Sequence, residues 1–152
     1  MLGAILSALH VLSLGIGLGA IVVRGQALTR VGAGDFAAAP SALAADAFWG
    51  VAALLWVSTG LMRAFGGIEK SADFYLDNGF FWIKMALFAT ILLLEIAPMA
   101  TLIRWRVALR QGNPIDTRHV AALVRINHAE TALVVVIPFA AAAMARGLWL
   151  IA

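Results

Sequence analysis

The sequence predicts an all-α fold: an integral-membrane four-helix bundle, up-down-up-down, with both termini on the outer side. Three observations carry this. Hydrophobic residues make up 63% of the 152 positions and charged residues 12%, with a mean hydropathy of +0.96, far from a soluble average. The apolar residues gather into four runs of about 20 residues or more, enough for helices to cross a hydrocarbon core of roughly 30 Å. Arginines crowd alternate connections, as a multi-pass topology requires.

The first run, Leu2 to Val23, lacks a basic leader, is too long for the apolar segment of a signal peptide, and reaches Arg24 without a cleavage pattern, so it reads as a retained helix. Arg24 and Arg30 then mark the first connection. The second run, Leu43 to Ala64, is closed by Gly66 and Gly67. The connection from Ile68 to Gly79 sets Lys70, with Arg63 just before it, against Glu69, Asp73 and Asp77. Its Phe74 and Tyr75, with Trp82 and Trp149, suit the headgroup level. Asn78 and Gly79 precede the third run, Phe80 to Ile103. Arg104, Arg106, Arg110 and Arg118 follow it, Gly112, Asn113 and Pro114 break it, and Asp116 or Thr117 is expected to cap the fourth run, Val120 to Ala145.

The positive-inside rule therefore places connections one and three in the cytoplasm of a bacterial inner membrane, with N-out and C-out termini. One transmembrane domain, 1–152, accounts for the chain, and no catalytic domain outside the bilayer is expected. Nucleic acid is excluded as a partner because the arginines sit at helix ends with no folded domain beside them. Cysteine is absent, which removes thiolate metal sites, disulfides and thioether-linked haem together.

Function is sought in the ionisable residues inside the runs, since charge at membrane depth costs several kcal/mol, roughly, and marks a ligand, proton or cofactor site. His10, in the first run, shares a seven-residue stripe with Gly3, Gly17 and Arg24, so small neighbours flank the imidazole. Lys84 lies in the third run. At 1.5 Å per residue His10 is about 12 Å and Lys84 about 6 Å from the outer helix ends, and Thr59, Gly60 and Arg63 of the second run reach the same region. Each has a structural reading beside the functional one. Lys84 can snorkel, Arg63 can anchor at the interface, and His10 can satisfy its nitrogens with Ser7, Ser13 or a neighbouring helix. Gly15 and Gly19 suit close helix packing.

A second polar group falls in the inner leaflet: Asp46, Glu95, Arg125, Asn127, His128 and Glu130. Lys84 and Glu95 share a face but stand about 16 Å apart, so each needs its own partner. Asp46 or Glu95 is expected to pair with Arg125, fixing helix register, with a proton path as the sharper alternative. His128 and Glu130, two residues apart, face different ways, which argues against a shared metal site.

The stretches LHVLSLGIGLGAIVVRGQAL, DAFWGVAALLWVSTGLMRAFGGIEK, FWIKMALFATILLLEIAPM, TLIRWR and AAAMARG resemble an uncharacterised family of bacterial four-helix inner-membrane proteins over nearly the whole chain. More distantly, His10, Trp82 and Lys84 resemble the layout of HemJ-type membrane protoporphyrinogen oxidases: an early-helix histidine, a third-helix lysine after a tryptophan, and b-type haem. The resemblance implies haem b as cofactor, His10 as its axial metal ligand or orienter, and Lys84 as an iron ligand or propionate partner. Arg63 is a further propionate candidate, because guanidinium forms bidentate pairs with carboxylates.

Haem-based redox chemistry, either porphyrinogen oxidation or electron transfer, is thus one expected function. A non-catalytic accessory subunit of a larger membrane complex, or a homo-oligomer, is the alternative. A small transporter ranks behind both, since no inverted repeat or Met-rich cluster occurs.

Overall fold

The computed structural model describes residues 1–68 and 71–151. Glu69 and Lys70, counted above in the charge of the second connection, lie outside the described residues. Four long helices cross the molecule: α1 (Leu2–Gly32), α2 (Ala39–Phe65), α4 (Gly79–Arg110) and α5 (Val120–Ala145), with a short helix α3 (Ala72–Leu76) between α2 and α4. All four long helices have the length and hydropathy to span a bilayer. Their outward residues are apolar: Leu54, Leu93 and Phe139 are 70%, 70% and 73% exposed, as expected where lipid is the solvent.

Three of the long helices overrun the apolar stretches that announce them. The first continues through Arg24 to Gly32 because Arg24 does not leave the bundle. It is completely buried. The helix stops at Ala33, and Gly34 takes φ +93°, a left-handed conformation that glycine alone adopts without strain. A 3₁₀ turn at Phe36–Ala38 leads into α2, whose first turn holds Pro40, where a missing N–H costs nothing. Asn78 caps α4, its side-chain oxygen accepting from the Phe80 N–H at 3.0 Å. The expected caps of α5 are replaced: His119 is the capping position, without a side-chain bond, while Asp116 accepts from the Arg118 backbone and guanidinium instead. Asp116 is held below the ordinary carboxylate range by those bonds.

Helix α1 packs along α2 and also meets α5, and α5 packs along α4, whereas α2 and α4 touch over a short stretch only. The four therefore form a ring with one loose seam. Apolar packing falls into three levels. Leu28, Val31, Ala42, Leu102, Trp105 and Leu123 fill the end near the α1–α2 and α4–α5 connections. Ile21, Trp49, Trp56, Ile91, Val134 and Ile137 fill the middle. Ala64, Tyr75, Phe81 and Met144 close the other end. There the C-terminal segment folds back on the α4 cap, with the Gly79 N–H donating to Trp149 O at 3.0 Å and the Ile151 N–H to Asp77 O at 2.7 Å.

Candidate functional site

Where α2 and α4 part, they leave a cavity of about 440 Å³, within the roughly 300–1,000 Å³ usual for small-molecule and cofactor sites. Its wall is mostly apolar. Leu14, Phe81, Met85, Phe88 and Ile137 contribute, and His10, Arg63 and Lys84 line the same space. Among the described lining residues there is no carboxylate. Arg63 and Lys84 place positive charge on the wall of an apolar chamber, which suits the anionic group of a ligand.

The imidazole of His10 is oriented from α2. Its Nδ1 lies 2.9 Å from Thr59 Oγ1, and that hydroxyl donates to Leu55 O at 2.6 Å. A hydroxyl has one hydrogen. With it committed to Leu55, Thr59 accepts from Nδ1–H, so neutral His10 carries its lone pair on Nε2. Ser13 does not serve the ring, because its hydroxyl donates to the His10 carbonyl at 2.9 Å. The ring can lie this close to α2 because residue 60 is glycine. A Cβ there would stand 3.2 Å from His10 Cε1. Trp56 supports the imidazole from the side, with ring centroids 5.8 Å apart.

Trp56 also supplies a feature that sequence reasoning did not assign. It is 8% exposed, lines the cavity, and its indole N–H has no hydrogen-bond partner among the described residues. A buried donor left unpaired costs about 1–3 kcal/mol, so a bound acceptor would be stabilised there. The signal was present in the spacing. Trp49, Trp56 and Arg63 recur every seven residues along α2, one face of the helix.

Trp82 stands elsewhere. It is 51% exposed and donates its indole N–H to Leu76 O at 2.9 Å, tying α3 to α4. The reason is angular, since two residues along a helix turn a side chain about 200° away from Lys84.

Deeper in the bundle a second constellation joins all four long helices. Arg24 of α1 spends each of its five N–H donors. Nε reaches Asn127 Oδ1 at 2.9 Å, Nη1 reaches Asp46 at 3.0 Å and Glu95 at 2.7 Å, and Nη2 reaches Glu95 at 3.0 Å and Glu130 at 2.6 Å. Trp49 Nε1 donates to Glu95 Oε2 at 3.0 Å, and Asn127 Nδ2 to Ile21 O at 3.0 Å. Gly25 makes room for this, because a Cβ at that position would collide with Asn127 Nδ2.

The cation in this cluster is Arg24 and not the expected Arg125. Arg125 and His128 are exposed on α5, whereas Asn127 and Glu130, three residues apart, point inward. Arg24 was read as the membrane exit of the first helix because it ends the apolar run. Its place on the stripe with His10 and Gly17 was the available signal, for Gly17 packs on Trp49 and Arg24 continues the same buried face.

No curated protein and no solved structure matches the chain. The model of the family described as "Predicted membrane protein (DUF2214)" matches residues 2–148. With the match covering nearly its whole length, this four-helix chain belongs to that family of membrane proteins.

Proposed function

We propose that the cavity between α2 and α4 binds haem b and that the protein is a redox component of the bacterial inner membrane, oxidising a porphyrinogen or passing electrons. The observation that carries this reading is the convergence of His10, Arg63 and Lys84 on one apolar chamber. That donor set fits the group. Haem is a flat apolar ring with two carboxylates, and an imidazole plus two cations is the complement of such a molecule. His10 would hold the iron through Nε2, with Thr59 fixing its tautomer as an outer partner does in metal sites. Lys84 and Arg63 would hold the propionates. Trp56 would find an acceptor for its unpaired N–H. When bound, haem would supply a one-electron iron couple tuned by the residues that hold it and the polarity around it.

The distribution of arginines supports an N-out, C-out orientation, since Arg30, Arg104, Arg106, Arg110 and Arg118 all fall at or beside the connections on one end of the bundle.

The test is a dithionite-reduced minus oxidised absorbance spectrum of protein purified in mild detergent from haem-replete cells, with His10→Ala and Lys84→Ala alongside. A b-type α band and Soret shift that weaken in the variants are expected. A colourless protein that leaves the membrane with a large partner would replace this reading with that of an accessory subunit.

A further inference from the structure

Apart from the cavity, the Arg24 cluster contains more negative groups than it can neutralise. One guanidinium faces three carboxyls, those of Asp46, Glu95 and Glu130. Ionised together they would leave two excess negative charges, and their position makes this prohibitive. Glu95 falls at the midpoint of α4, and Glu130 within about 4 Å of the midpoint of α5 at 1.5 Å per residue. An uncompensated charge there is strongly disfavoured. Glu95 and Glu130 also share one nitrogen, Arg24 Nη2, so their carboxyls are close enough to repel. A second observation singles out Glu130. Its side chain is completely buried, and its Oε1 has no hydrogen-bond partner among the described residues, while all five donors of Arg24 are already used.

We propose that this cluster is a proton-binding site in the middle of the bundle, with protons held by the Glu95–Glu130 pair and exchanged through Asp46. Protonation is simple transfer, in which a carboxylate takes a proton from hydronium and releases water, and exchange reverses it. The side chains of Asp46 and Glu95 are 14% and 17% exposed, against 0% for Glu130, which makes Glu130 the trapped member, while Asp46, about two turns from the start of α2, is the outlet. The groups facing the pair are Arg24 from α1 and Asp46 from α2, with Arg106 of α4 acting on Asp46 from the arginine-rich end. Asn127 and Trp49 are neutral. A metal ion is the less fitting occupant, because the Arg24 guanidinium already stands where the three carboxyls meet and no group able to hold a metal ion occurs among the described residues.

Infrared spectroscopy of the protein in lipid vesicles at neutral pH tests this, because the C=O stretch of a protonated carboxyl is resolved from carboxylate bands and shifts in D₂O. Wild type should show the protonated band, and Glu130→Gln or Glu95→Gln should remove or halve it. Glu130→Gln mimics the protonated acid, so it should keep its thermal midpoint and remain measurable. Absence of the band in folded wild type would overturn the proposal. So would a band unchanged in both variants, or one that appears only when sodium is withdrawn, since a bound cation would then supply the charge. None of these results depends on haem.

Discussion

Arg24 Nη2 and Glu130 Oε2 lie 2.6 Å apart, with neither side chain exposed, and this contact ties the first membrane helix to the last. Because the same guanidinium also holds Asp46 and Glu95, one residue sets the mutual register of all four long helices. Removing one partner of such a network leaves buried charge uncompensated. Arg24→Met should therefore destabilise the fold by about 3–5 kcal/mol, read as a fall in the detergent-solubilised thermal midpoint. Arg24→Lys should not rescue it, since an ammonium offers three donors from a point and cannot reach five acceptors in a planar fork.

Gly25 and Gly19 provide an internal comparison on α1. A Cβ at residue 25 would collide with Asn127, whereas a Cβ at residue 19 meets nothing within 4 Å. Gly25→Ala should cost about 1–3 kcal/mol, as overpacking does, and Gly19→Ala should be neutral or slightly stabilising. Equal midpoints for the two variants would contradict the packing described between α1 and α5.

Thr59→Val keeps the shape of the side chain and removes the hydroxyl that orients His10. Loss of such an outer partner costs about 10–100-fold in affinity at metal sites, so haem titration into the stripped protein should show a drop of that order. The thermal midpoint of the haem-free protein should barely move, because the lost bond is shared with a half-buried ring.

The Asp116–Arg118 pair should behave oppositely to Arg24. Both side chains are exposed, and exposed pairs contribute little, so Asp116→Asn should leave the thermal midpoint within error of wild type. The Asp116 carboxyl is depressed below the usual range by Arg118. Whatever little it contributes is present at neutral pH and lost as the pH falls through that lowered value, so acid titrations of the midpoint should superimpose for wild type and Asp116→Asn.

The bundle was legible because run length, glycine punctuation and arginine placement all report on the same bilayer, and no other solvent demands helices of this length. The cavity site was legible in part. His10, Arg63 and Lys84 could be placed by depth, since helices of known direction convert residue number to height at 1.5 Å each. Rotation about the helix axis decided the rest. Trp82 matched Lys84 in depth but not in face, and Trp56, which forms the wall, carried no charge to draw notice. Arg24 was hidden for a different reason. A charged residue at the end of an apolar run looks like an interface anchor, and only three acids brought from other helices make it a core residue.

The proposed haem site requires His10 to ligate an iron held in the cavity beside Lys84 and Arg63. Anomalous diffraction at the iron edge, from crystals of protein purified out of haem-replete membranes, tests it most directly. One iron peak is expected within bonding distance of His10 Nε2, inside planar density whose acidic edge faces Lys84 and Arg63. A cavity filled by a lipid chain, with no iron peak, would contradict it.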